Sequence, residues 1–196
     1  MTRDINLFDM CDLSKTAPLG YYTSPQGRAA NDYECPVSYV SQLPNRYNNL
    51  CWAATISTII EYVTGEEKDV IDIAKRQHGN DFDHPVGVSN IGKVLLMDYD
   101  LEYSYINKLL TDVIVLRNIK TDYPVYASFR YDENPNVAHA GTIYGVNVIS
   151  GFMMVMDPSF GAATMTTKDG TTYSYICERN GKVLNLYRGV CYSYNW

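Results

Sequence analysis

The stretch NNLCWAATISTIIEYVTG, residues 48–65, decides the fold that the sequence predicts. From Trp52 onward its apolar residues recur at spacings of three and four, which is typical of a helix with one apolar face. These residues are Trp52, Ile56, Ile59, Ile60 and Val63. Thr64 and Gly65 supply a helix stop. Cys51 therefore lies at the N-terminal end of a helix, where unpaired N–H groups and the helix dipole favour the reactive thiolate.

Composition and charge restrict the class of protein. The chain has 196 residues, of which 46% are hydrophobic and 19% charged, an ordinary composition for a folded domain with one sizeable core. The formal net charge is -6 and no Lys/Arg cluster occurs, which argues against a nucleic-acid partner. No apolar run reaches the length of a membrane span, so no membrane partner is expected either.

The cysteines and the first residues bear on redox state and export. The N-terminal letters MTRDIN lack the basic and apolar regions of a signal peptide, so the protein is either cytosolic or has lost a leader; of the two, we expect export. The five cysteines fit no metal-binding spacing, and no metal or organic cofactor is expected. They are Cys11, Cys35, Cys51, Cys177 and Cys191. Cys11 with Cys35, and Cys177 with Cys191, remain open as disulfides or as buried thiols.

The chain divides into an arm and a domain. Residues 1–35 show no sustained periodicity and are predicted to be an irregular N-terminal arm or a propeptide, and residues 36–196 form the domain. The segment PVSYVSQ, residues 36–42, alternates apolar and polar residues and predicts a short strand.

Helices are predicted first and strands later. After the Cys51 helix, three more are expected over residues 66–78, 89–99 and 111–123, the last two with Ser89 and Thr111 as N-caps. Segments rich in Val, Ile, Phe and Tyr then predict strands; these are residues 124–131, 139–148 and 151–158. Asn180 and Gly181 predict a hairpin turn near the end. This order indicates an α+β fold rather than alternating βαβ units.

A nucleophilic cysteine needs a base, and the chain has three histidines. His78 ends a predicted helix and His84 lies in the polar loop NDFDHP, both ordinary surface settings. His139 opens the predicted strand HAGTIYGV beside small residues that leave space around its ring, and it is the preferred base.

An orienting acid for His139 is suggested by the next strand. If the two strands form a hairpin around a loop centred on Val148, His139 lies directly opposite Asp157. Opposed residues project to the same face, so Asp157 could accept a hydrogen bond from the imidazole and fix its tautomer. A slip of one residue would send Asp157 to the other face.

Four blocks of the sequence together resemble the papain-like cysteine peptidases, in particular the bacterial C39-like branch related to bacteriocin-processing peptidases. The blocks are NLCWAATISTIIEY, DYPVYASF, AHAGTIYGV and VMDPSFG. The resemblance implies a papain-like fold, in which a helical half carries the catalytic cysteine and an antiparallel sheet carries the histidine and the acid. It implies that Cys51 is the nucleophile, His139 the general base and acid, and Asp157 the residue that orients His139.

The resemblance also implies an amide side chain upstream of the cysteine that helps to bind the oxyanion. Gln42 is the preferred residue, although it precedes Cys51 by a longer gap than the family commonly shows. Asn45 and Asn48 are nearer and remain alternatives.

The predicted function is hydrolysis of peptide bonds in a peptide or protein substrate through a thioester acyl-enzyme. One alternative keeps this chemistry but passes the acyl group to an amine, as in an acyltransferase or a transglutaminase-like enzyme. A second alternative is a binding module that keeps the fold without catalysis. The sequence leaves substrate specificity and oligomeric state open.

Overall fold

The computed structural model describes residues 32–43, 46–159, 162–177 and 180–192. Over these residues the helices are α1 (Cys51–Thr64), α2 (Val70–His78), α3 (Val88–Tyr99) and α4 (Asp112–Lys120). The strands are β1 (Asp32–Glu34), β2 (Tyr103–Ile106), β3 (Val125–Tyr131), β4 (Ala138–Asn147), β5 (Met153–Asp157), β6 (Ala162–Met165), β7 (Thr167–Asp169), β8 (Thr172–Cys177) and β9 (Lys182–Tyr192). Cys11 and Asn45 lie outside the described residues.

Helix α1 ends at Thr64 as predicted and begins at Cys51, one residue before the predicted start at Trp52. Leu50 precedes it and makes no side-chain cap bond, so α1 begins without the usual Ser, Thr, Asp or Asn. Every residue from Trp52 to Ile60 is buried, which makes α1 a core helix. Gly65 ends it with a φ of 74°, a left-handed conformation that glycine adopts without steric cost.

The other three helices exist, but their ends differ from the prediction. Helix α2 begins at Val70 because the Asp69 carboxylate caps the N–H groups of Ile71 and Asp72. The N-cap of α3 is Gly87, so the assignment of Ser89 to that role is wrong.

Thr111 caps α4 as predicted and accepts a hydrogen bond from the Ile114 N–H. The helix ends at Lys120, where its C-terminal turn closes through Thr121 rather than continuing to Tyr123.

The strands form one antiparallel sheet with the order β6-β5-β4-β3-β9-β8-β7. β1 also pairs with β4, and β2 with β9. The three predicted central strands are β3, β4 and β5, and the predicted turn at Gly181 connects β8 to β9 with a φ of 68°. The structure confirms an α+β fold built on an antiparallel sheet.

Helices cover both faces of the sheet, so neighbouring residues along a strand belong to different cores. Tyr126 in β3 packs with α1, α2 and α3, whereas the next residue, Ala127, packs with α4 on the opposite face. Ala140 in β4 and Val190 in β9 lie on the α1 face. This alternation is the period of two expected of strands that are buried on both sides.

The strand predicted over residues 36–42 is wrong. Its residues pair with no neighbouring strand, because Pro36 lacks an N–H and the Val37 N–H donates to the Cys35 carbonyl two residues before it. The apolar alternation has another origin, since Val37 packs in one core and Val40 in the other. The segment is fixed at its end, where the Gln42 N–H donates to the Pro158 carbonyl at 2.9 Å.

Three of the five cysteines are buried and are not in disulfide bonds: Cys35, Cys177 and Cys191. Cys177 and Cys191 therefore do not form the disulfide that the sequence left open. Burial raises the pKa of Cys191 to about 12. Burial, with the Asp122 carboxylate second, likewise raises the pKa of Cys35 to about 12.

No helix in the described part of the chain is long and apolar enough to cross a membrane.

Candidate active site

Cys51 and His139 meet where the start of α1 touches the sheet. The groups that act on the pKa of the Cys51 thiol here are the His139 imidazole and the backbone N–H groups of Ala140 and Trp52. Burial raises the pKa of the Cys51 thiol, but the hydrogen bond and charge of His139 and these two N–H groups outweigh it. The pKa is therefore lowered from its ordinary value, which favours the thiolate.

His139 connects Cys51 to Asp157. The imidazole Nε2 lies 2.7 Å from the Asp157 Oδ1, and both side chains are 6% exposed. Because Nε2 is engaged by Asp157, the ring presents Nδ1 to the Cys51 sulfur. Burial lowers the pKa of His139, but its bonds to Asp157 and Cys51 raise it well above the ordinary value. The shifts favour a thiolate and imidazolium pair.

The predicted hairpin register is wrong, although His139 and Asp157 do meet. Thr142 opposes Met156 and Ile143 opposes Val155, so Asp157 lies two positions from the residue directly opposite His139. A displacement of two residues along a strand leaves a side chain on the same face of the sheet, because side chains alternate with a period of two. His139 and Asp157 are therefore diagonal neighbours, a separation that long side chains bridge.

Three donors surround the Asp157 carboxylate. Besides His139, the Ser159 N–H donates to Oδ1 at 2.8 Å and the Tyr175 hydroxyl donates to Oδ2 at 3.0 Å. Burial raises the pKa of Asp157, but these bonds and the His139 charge lower it overall. Asp157 is thus held ionised in the core beside the imidazole.

Gln42 reaches the same network from the loop before α1. The residue is 2% exposed, and its Nε2 donates to the Ser159 hydroxyl at 3.3 Å. The Ser159 Oγ in turn lies 3.2 Å from the His139 Nε2. Within the described residues the Gln42 Oε1 is buried without a hydrogen-bond partner. The structure therefore brings together all four sequence-predicted residues, with Gln42 joined to His139 through Ser159.

The loop before Cys51 is held by the segment that contains His84. The Asp83 carboxylate accepts from the Asn49 N–H at 2.9 Å and from the Asn48 N–H at 3.3 Å. The Trp52 indole donates to the His84 carbonyl at 2.8 Å. These hydrogen bonds, each between a side chain and a backbone group, fix the start of α1. Asn48 itself is exposed, unlike the buried Gln42.

The two other histidines do not join the Cys51 network. His84 is exposed and bonds Asp81 at 2.9 Å, and the His78 ring packs edge-on against Trp52.

Sequence reasoning did not identify Ser159 and Tyr175. Ser159 carried a weak signal, since an Asp followed by Pro and Ser is a common turn in which the carboxylate accepts the N–H two residues later. Tyr175 carried none, because it is one of 18 tyrosines and only the pairing of β8 with β9 places it in the core.

Comparison with known proteins gives little beyond this geometry. No protein-family model matches the chain. No curated protein matches it. Among solved structures, it is similar to UfSP from C. elegans, with a TM-score of 0.48 and 14% sequence identity. That alignment covers 83% of this chain and 34% of the other, so this chain spans about a third of the UfSP structure.

Proposed function

We propose that the chain is a cysteine peptidase that cleaves peptide or protein substrates. The observation that carries the proposal is the arrangement of the three residues: the His139 imidazole acts on the Cys51 thiol and lies 2.7 Å from the Asp157 carboxylate. A thiol at a helix start, an imidazole bonded to it and a carboxylate that orients the imidazole are the parts that nucleophilic acyl transfer requires.

The reaction proceeds in two halves. The Cys51 thiolate attacks the substrate carbonyl carbon, and the resulting tetrahedral intermediate collapses as the His139 imidazolium gives its proton to the leaving amine. The product is a thioester on Cys51. His139, now neutral, takes a proton from water, and the hydroxyl attacks the thioester and releases the acid. Asp157 keeps the ring oriented in both halves.

Two donors serve the oxyanion in this proposal. The first N–H groups of a helix have no partner within it, which leaves the Cys51 N–H for the substrate oxygen. The Gln42 amide has two N–H bonds and uses one on Ser159, so the other is available. Burial of Gln42 and its link to Ser159 fix the amide before substrate arrives.

We further propose a papain-like fold, related to the bacterial C39-like peptidases. The support is the order of the sequence blocks, together with a helix that starts at the cysteine and an antiparallel sheet that carries the histidine and the acid. Export of the protein is part of the same proposal and rests on the sequence alone.

The test combines thiol labelling with substrate screening. Brief exposure to iodoacetamide at mildly acidic pH, followed by peptide mapping, should label Cys51 selectively, and His139→Ala should abolish that selectivity. A peptide library should then be cleaved by the wild-type protein and not by Cys51→Ala. Equal cleavage by Cys51→Ala would exclude the mechanism. An amide product with an added amine, in place of the acid, would indicate an acyltransferase.

A further inference from the structure

Two arginines share one aromatic ring close to the Cys51 site. The guanidinium carbon of Arg130 lies 3.5 Å from the centre of the Tyr187 ring, and that of Arg188 lies 4.4 Å from it. All three side chains are half-buried. These residues are named the arginine cluster below. The chain has a net charge of -6, so two adjacent cations on one ring make this surface locally positive on a protein that is negative as a whole.

The sheet register places the arginine cluster beside the catalytic residues. Arg188 opposes Ser128, and Ser128 opposes Ala140, whose N–H contacts the Cys51 sulfur. Two strand spacings separate Arg188 from Ala140, about 10 Å. Arg130 opposes Ala138, the residue before His139.

A β-bulge explains why the ring stands between the two cations. The pairing of β3 with β9 shifts between Ser128 and Phe129, which leaves Tyr187 as the extra residue on β9. A bulge bends its strand and re-aims a side chain. Tyr187 thereby lies between Arg130 and Arg188, and cation–π contacts hold both guanidinium groups on its ring.

The arginine cluster lies where the sheet face emerges from under the helices. On this face α1, α2 and α3 bury Tyr126 and Val190. Arg130 and Arg188 lie further along the same face of the same two strands, since side chains of equal parity share a face, and they are only half-buried. The open part of the face is therefore adjacent to the end of α1 that carries Cys51.

The nearby carboxylates are engaged elsewhere. Asp132 accepts from the Asn185 amide, and Glu133 pairs with Lys182 at 2.8 Å. Within the described residues neither arginine is within ion-pair distance of a carboxylate. Arg188 makes one hydrogen bond to the Tyr105 hydroxyl at 2.6 Å, which leaves most of its donors free. Half-buried cations without an anion are costly, and a bound carboxylate would remove that cost.

We propose that the arginine cluster is a subsite that binds an Asp or Glu side chain of the substrate. The inference rests on the proposed peptidase function and adds its specificity. A guanidinium group matches a carboxylate with two parallel hydrogen bonds, and the pair on Tyr187 is already oriented to do so.

The first test uses two alkylating reagents that differ by one charge. Iodoacetate is an anion and iodoacetamide is its neutral analogue, and both form a thioether with the Cys51 thiolate and release iodide. The measured quantity is the ratio of their second-order rate constants at Cys51. Dividing by the iodoacetamide rate corrects each variant for any change in the thiolate itself. The double variant Arg130→Gln/Arg188→Gln should lower the ratio about fivefold, because two cations near 10 Å attract the anion.

Matched variants separate local from general effects. Arg76→Gln removes the same charge from an arginine that also lies over a tyrosine, Tyr99, on another part of the protein, and should leave the ratio as in wild type. Arg188→Lys keeps the charge and should also keep the ratio. Thermal unfolding checks each variant, and the two single Gln variants carry the test if the double variant unfolds early.

Peptide pairs then test the subsite directly. The two substrates of a pair differ only by Glu or Gln at one position. Their C-termini are amidated, so that no terminal carboxylate can bind the arginine cluster instead. At the position that the subsite reads, wild type should prefer Glu at least tenfold in kcat/KM, and the double variant should lose that preference. An equal alkylation ratio in wild type and double variant would overturn the subsite while leaving the peptidase intact. Absence of selective iodoacetamide labelling at Cys51 would overturn both.

Discussion

A buried carboxylate sets the protonation of the candidate site. Asp157 is ionised in the core because three donors compensate for lost hydration, and its hydrogen bond and charge in turn raise the pKa of His139. The same imidazolium lowers the pKa of Cys51. The thiolate and imidazolium pair therefore exists between the lowered pKa of the thiol and the raised pKa of the ring, and it depends on groups that never touch substrate.

Tyr175→Phe should weaken this support in a pH-dependent way. The folded-state pKa of Asp157 is lowered, so its contribution to stability is present above the unfolded pKa and is lost as pH falls through the folded pKa. Without the Tyr175 hydroxyl, the free energy of unfolding at pH 7 should fall by about 2 kcal/mol. The deficit should shrink as the carboxyl becomes protonated.

Urea unfolding of wild type and Tyr175→Phe between pH 7 and pH 2 measures that difference, because the folded-state pKa of Asp157 lies below its ordinary value of 3.8. Tyr47→Phe, whose ring packs on Phe82, removes a hydroxyl away from Asp157 and is the control. A deficit that stays constant over this range would mean that Tyr175 acts by packing and not through Asp157.

Gln42→Ala tests the proposed oxyanion donor. Loss of one such donor should reduce kcat about 100-fold with little change in KM, because the bond forms mainly in the transition state. Labelling of Cys51 by iodoacetamide should persist, since that reaction forms no oxyanion. Gln77→Ala, on α2, is the control. Unchanged kcat in Gln42→Ala would assign the role to another group.

At the scale of elements, one helix and two interior strands of the sheet divide the candidate catalytic residues between them. Cys51 begins α1, while His139 lies near the start of β4 and Asp157 ends β5. Helix α1 and the central strands were predictable, because apolar period and composition specify them locally. The register between β4 and β5 was not, because the loop is centred between Ile149 and Ser150 and not on Val148. The pairing also shifts between Ile143 and Gly145, and such an irregularity leaves no mark in the apolar pattern.

Helix α3 approaches the sheet so closely that a single methyl group should disturb the contact. A Cβ on Gly92 would lie 2.5 Å from the Tyr103 carbonyl oxygen in β2, a backbone atom that cannot rotate away. Gly92→Ala gains helix propensity of about 1 kcal/mol, but overpacking should exceed it and lower the free energy of unfolding by about 2 kcal/mol.

The neighbouring Lys93→Ala variant makes a matched control, because Lys93 is exposed on the same helix. Chemical denaturation should show Gly92→Ala less stable than wild type and Lys93→Ala close to it. A Gly92→Ala protein as stable as wild type would mean that α3 moves away from β2 at little cost.

For the whole molecule, the pairing of β1 with β4 shows where the chain joins the sheet after the predicted N-terminal arm. Tyr33 opposes Val146 in β4, and the Cys35 N–H donates to the Tyr144 carbonyl, so residues from Asp32 onward belong to the sheet. The sequence predicted a change near residue 35 from composition, but a strand of three residues is too short to produce a recognisable period. The interpretation of the arm as a propeptide stays a prediction.

Two truncations test that interpretation. Removal of residues 1–31 leaves β1 in place, and should raise kcat/KM severalfold if the arm occupies the substrate groove. Removal of residues 1–35 also deletes β1 and should lower the midpoint of thermal unfolding, because β4 loses a paired strand. Equal kcat/KM in the full chain and the 32–196 form would contradict an inhibitory arm.

Because their pKa values are high, the buried cysteines can serve as probes of local opening of the fold. Cys35 lies under α4, and Cys191 lies in β9 between β2 and β3. With pKa values of about 12, neither is reactive at neutral pH until its surroundings open and admit solvent. In a Cys11→Ser background, the slow modification of each thiol in the native protein would report how often its part of the core opens. One labelling experiment would thus yield local opening free energies for two regions. The fraction of Cys51 that reacts promptly would give the fraction of molecules with an active thiolate.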